Sequence, residues 1–171
     1  AEASDYDNLG LWLYSEEDLR HCQDLTLAAH FVPSAGKVNI LSPGDKWVLN
    51  TFAQYDEDRA DHYMPVRIDG FDTNFRGFDH IELQYKKSNE GDKEWVNLCS
   101  YFADEEKMAM ASGTKKLIGS DGVIMERFYG DKGAVEQKYD IRAVEYCSYG
   151  SGFLTGSSNI ISGTKDTRYP T

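Results

Sequence analysis

The sequence predicts an all-β fold, an antiparallel β-sandwich with short connecting helices. Short runs alternate apolar and polar residues with a period of two, the mark of a half-buried strand. Clusters of Gly, Asn and Ser interrupt these runs at intervals suited to short strands joined by turns. Helical signals are few. The 171 residues are 40% hydrophobic, 27% charged and 13% aromatic, the content of an ordered globular chain rather than a disordered one.

The elements follow in order. Residues 1–44 hold two strand-like runs, 9–14 and 25–32. Between them Ser15 caps an acidic first turn (Glu16, Glu17, Asp18) that opens a short helix to about Cys22. This segment ends at Ser42-Pro43-Gly44 and is too small to bury a core alone. It is either the tail of a preceding module or a set of extra strands on the main domain, residues 45–171. The tetrapeptide Asn39-Ile40-Leu41-Ser42 returns as Asn159-Ile160-Ile161-Ser162, which favours a tandem arrangement.

In the main domain, Met64, Val66 and Ile68 share one face of a strand. Ile81, Leu83 and Tyr85 do the same, with Glu82 and Gln84 opposite. The polar stretch 86–93 then leads into a strand over 94–99, so the pair reads as a β-hairpin. Asp104 caps a second short helix that stops near Gly113. Glycines bound a strand over 122–130, and Tyr139, Ile141 and Ala143 alternate in the next. Gly150-Ser151-Gly152 makes a turn into a last strand over 153–161, weakened by Gly156, Ser157 and Ser158.

Charge narrows the function. Asp and Glu number 29 against 18 Lys and Arg, a net charge of −11, and no basic stripe offsets it. A nucleic-acid backbone would be repelled. No apolar run reaches the ~18 residues of a membrane span. The acidic opening residues do not form a signal peptide. The cysteines, Cys22, Cys99 and Cys147, form no C-x-x-C pair, which removes a zinc site of usual spacing. Cys99 and Cys147 are read as buried free thiols, with a Cys99–Cys147 bridge as the alternative.

Sites for chemistry are sparse. Asp56, Asp58 and Asp61 form an acidic cluster that offers oxygen ligands to calcium, but the EF-hand order is missing. No other cofactor is indicated. His21, His30, His62 and His80 have no metal spacing. His62 follows Asp61 and His80 follows Asp79; neighbours in a regular strand point to opposite faces, so neither pair is expected to touch. No G-x-S-x-G elbow or phosphate-binding glycine loop is present. Aromatic side chains at run edges and in loops are therefore the best binding candidates: Trp12, Trp47, Tyr55, Tyr63 and Tyr101, with Tyr146, Tyr149 and Phe153 around the last turn ranked first. Taken singly, Trp47 and Trp95 are each read first as core residues of a sandwich.

The run 81–85, the turn, Trp95, then 139–144, a Gly/Ser turn and a final strand resembles strands C, C′, F and G of a fibronectin type III or immunoglobulin-like domain. The resemblance implies a structural role for Trp95 and a corner contact for Tyr139. The phrases 65–71, 77–86 and 162–170 also resemble modules of large multi-domain surface or secreted proteins of Bacteroidetes-type bacteria. The likeness spans roughly residues 40–171. The stretch between Trp95 and Val123 is longer than the family pattern, and the Cys-Trp-Cys order of antibody domains is absent. The resemblance implies a non-enzymatic, extracytoplasmic spacer or adhesion module with neighbouring domains in the same chain and a protein or glycan partner. The alternative is a carbohydrate-binding module, which requires coplanar exposed aromatics on one face.

Overall fold

A computed structural model describes residues 38–74, 77–90 and 94–168. The predicted runs 9–14 and 25–32, the helix opened by Ser15, and Trp12, His21, Cys22 and His30 lie outside the described residues.

Among the described residues, eleven strands form two sheets and one short α-helix connects two of them. The first joins β1 (Asn39–Ser42), β3 (Gln54–Asp56) and β8 (Ile124–Phe128) to the central β4 (Asp61–Asp69). The second runs β2 (Trp47–Leu49), β11 (Ile161–Lys165), β9 (Gln137–Tyr149), β5 (Phe78–Lys87), β6 (Val96–Phe102) and β7 (Lys115–Leu117). Strand β10 (Gly152–Ser157) pairs with the other end of β9. Pairing is antiparallel except for β2 with β11 and β6 with β7. Helix α1 (Glu105–Met110) is capped by Asp104, whose carboxylate accepts from the Glu106 amide.

Period-two alternation makes these strands amphipathic, and their apolar faces meet in one core. Val66, Ile68 and Phe128 come from the first sheet; Leu49, Ile81, Leu83, Tyr139, Ile141 and Ile161 come from the second. Phe128 is the centre of an edge-on aromatic cluster. Its centroid lies 5.8 Å from Trp47, 5.6 Å from Tyr85 and 5.3 Å from Tyr139. Two glycines make room for this cluster. A Cβ on Gly163 would fall 2.0 Å from the Trp47 ring, and one on Gly130 (φ 66°) would fall 3.0 Å from the Tyr139 ring.

The last predicted strand is two strands. The chain leaves the ladder after Ser157 and re-enters at Ile161. Ser158 bridges the gap: its amide donates to Ala143 O and its hydroxyl accepts from the Ala143 amide, each at 2.8 Å. Asn39–Ser42, read with the N-terminal segment, is a strand of the first sheet, opposite Asp69 and Arg67. The two copies of the repeated tetrapeptide are neighbours in one fold, because Asn159 Oδ1 accepts from the Ile40 amide at 3.0 Å.

Candidate functional site

The densest group of interacting polar and aromatic side chains lies on the outer face of the second sheet. In antiparallel pairs, residues directly opposite one another share a face. His80 on β5 stands between Phe102 on β6 and Tyr146 on β9. The three rings stack like slices: His80 lies 4.4 Å from Tyr146 at an interplanar angle of 8°, and 5.0 Å from Phe102 at 26°. Phe153 from β10 stands edge-on to His80 and to Tyr146, and is 52% exposed.

Carboxylates hold the imidazole from both ends. Asp79 Oδ2 lies 2.6 Å from His80 Nδ1, and Glu82 Oε2 lies 3.5 Å from Nε2. Contact between Asp79 and His80 overturns the expectation that these neighbours face apart. The β5–β9 register shifts between Phe78 and His80, and such a bulge re-aims a side chain. Burial works to lower the His80 pKa, but the bonds to Asp79 and Glu82 outweigh it and the net shift is upward. For Asp79, burial acts upward, and the His80 and Lys107 partners bring the net below the usual value. Glu82 is lowered chiefly by its bond to His80. The network continues outward. Gln84 Nε2 donates to Glu82 at 2.8 Å, Arg142 Nε donates to Gln84 Oε1 at 2.8 Å, and the Arg142 guanidinium lies 4.3 Å over Trp95.

Of the aromatics proposed from sequence, Tyr146 and Phe153 meet in this cluster. Their rings are 89° apart, so they form no common flat platform. Tyr149 ends β9 at the neighbouring hairpin. Trp47 is buried, 6% exposed, and presents no face to a ligand. Tyr63 and Tyr101 are buried as well, whereas Tyr55 is 53% exposed and packs edge-on against His62. Trp95 is not in the core. It is half-buried on the outer face, with Arg142 and Lys86 over its ring. Tyr139 is fully buried, and its hydroxyl accepts from the Asp131 amide at 2.7 Å.

The acidic cluster does not converge. Asp56 takes the Tyr129 hydroxyl at 2.5 Å and Arg127 at 3.2 Å, while Asp58 stays exposed. Asp61 turns inward to Lys165, Nζ to Oδ2 2.8 Å, and Lys165 also donates to Asp131 O at 2.7 Å. Lys165 is fully buried, so this pair ties the first sheet to the second. No group of metal-ligating side chains is assembled among the described residues. Cys99 is a buried free thiol. Cys147 is disulfide-bonded, so it is not a free thiol and the two are not bridged to each other.

Glu145 escaped sequence reading. It is fully buried on β9, and its Oε1 has no hydrogen-bond partner among the described residues. Burial, with a smaller push from Asp72, raises its pKa to about 8. The signal was available: Tyr139, Ile141, Ala143, Glu145 and Cys147 share one phase of the strand, and that phase faces inward.

Both nitrogens of His80 are engaged and its two faces are covered. Comparison with protein-family models, curated proteins and solved structures gives no match.

Proposed function

We propose that the chain is a non-enzymatic, extracytoplasmic spacer and interaction module with an immunoglobulin-like or fibronectin type III-like sandwich, set in series with neighbouring domains. One observation carries this reading: the first and last strands of the described residues end at opposite poles of β4. Asn39 bonds Asp69 at one end of β4, and Lys165 bonds Asp61 at the other. At strand rise, those nine residues separate the poles by on the order of 25 Å.

The strand order supports the sandwich assignment. After β1 pairs with β4 in one sheet, β2 crosses to the other and pairs in parallel with β11. A disulfide at Cys147 belongs to an oxidising compartment, which favours an extracytoplasmic setting. The outer face around His80 and Phe153 is the surface offered to a protein partner. The mutually perpendicular rings there favour this over a sugar-stacking platform.

Single-molecule pulling tests the reading. Load applied at residues 38 and 168 shears the parallel β2–β11 pairing, whereas load between Ser151 and residue 168 peels β10 from β9 one bond at a time. The series-spacer reading expects one cooperative rupture at clearly higher force in the first geometry. Equal low forces in both directions would contradict it.

A further inference from the structure

On the side away from β11, the edges of the two sheets diverge around a cleft of about 310 Å³. That size is at the small end of ligand pockets. Its apolar lining comes from Tyr85, Leu98 and Phe128, and its charged lining is Arg59, Lys116, Arg127 and Glu126. In a chain of net charge −11, three cations and one carboxylate around one small cleft are a local reversal of sign.

These cations are not equivalent. Lys116 is paired with Glu126 at 2.8 Å and Arg127 with Asp56 at 3.2 Å. Arg59 has no carboxylate partner among the described residues. Its guanidinium lies 3.8 Å over the Tyr129 ring, and Tyr129 is itself fixed by its bond to Asp56. Stacking holds one face of the guanidinium and leaves its N–H edge without an anion. A planar fork matches a carboxylate in two parallel hydrogen bonds. The apolar side chains beneath suit the flat face of a ring. Repulsion by the rest of the acidic surface is damped beyond about 8 Å at physiological salt, so the nearby cations dominate inside the cleft.

We propose that this cleft binds a small six-membered ring bearing one carboxylate, with the carboxylate on Arg59 and the ring over Tyr85 and Leu98. A sugar acid and an aromatic acid share that chemistry, and the proposal is independent of the spacer reading.

Titration of the intact chain followed by amide NMR tests it, with glucuronate, benzoate, glucose and acetate as probes. Saturable shifts around Arg59 and Lys116 are expected with glucuronate or with benzoate, and which of the two binds tighter identifies the ring. Glucose lacks the charge and acetate lacks the ring, so each is expected to bind at least about tenfold more weakly. Arg59→Ala is expected to raise the Kd about tenfold or more. Arg67→Ala removes the same charge from an exposed position outside the cleft and is expected to leave it unchanged. Absence of saturable binding by both acids, equal binding of glucose, or equal losses in the Arg59 and Arg67 variants would overturn the proposal.

Discussion

Glu145 lies opposite Ile81, the neighbour of His80, yet the environments of Glu145 and His80 act on protons differently. Glu145 is a carboxyl whose folded pKa, about 8, lies above its ordinary 4.5. The folded state holds a proton that the unfolded chain releases, so stability is full below the ordinary value and falls as pH rises toward 8. Glu145→Gln keeps the shape and removes the titration. Urea unfolding is expected to show the variant gaining a few kcal/mol on the parent between pH 5 and pH 8.5, and parallel profiles would contradict the assignment. His80 also has a raised pKa, so its stabilising contribution is present below 6.5 and is lost as pH passes the higher folded value. Asp79 and Glu82 are lowered; their contributions are present above their ordinary values of 3.8 and 4.5 and are lost as pH falls through the folded ones. An imidazole NMR titration should place the His80 midpoint above 6.5, and Asp79→Asn should bring it down. Gly163→Ala forces a methyl into the Trp47 ring and is expected to cost about 1–3 kcal/mol in chemical denaturation, as overpacking does.

Strands with one buried face were legible because their side chains must alternate. That holds for β4, β5, β6, β8 and β9, each at least five residues long. Strands β1, β2, β3 and β7 are three or four residues long, too short for alternation to accumulate. The contact between Asp79 and His80 was invisible for a related reason: a bulge breaks the period on which the reading depends. Tyr146 and Phe153 were found because they flank a turn that the glycines mark, but their mutual right angle is a property of two rotamers and not of spacing. Asp61 and Lys165 are 104 residues apart in sequence, and only the closing of one sheet on the other brings them together. Removing one partner, as in Lys165→Ala, leaves a buried unpaired charge and is expected to cost about 3–5 kcal/mol in equilibrium unfolding. Replacing both by apolar residues of similar volume, Lys165→Met with Asp61→Leu, is expected to recover much of that loss. Equal losses in the single and double variants would mean that packing, not charge, holds this end.

Across the whole molecule, the path of the chain matters more than any single cluster. The first described strand starts beside Asp69 and the last ends beside Asp61, so β4 measures the distance between residues 39 and 165. Parallel pairing of β2 with β11 follows from the same path, because both strands run toward the Asp61 pole. In the proposed series arrangement the two poles face neighbouring domains and the outer sheet face is the surface proposed to meet a partner. The most direct test is a pulsed electron-spin distance measurement between labels at Leu41 and Arg168, both exposed, with Cys99 left buried and unlabelled. The account predicts a single narrow distribution centred on the order of 25 Å. A distribution centred below half that distance, with the two labelled ends side by side, would contradict it.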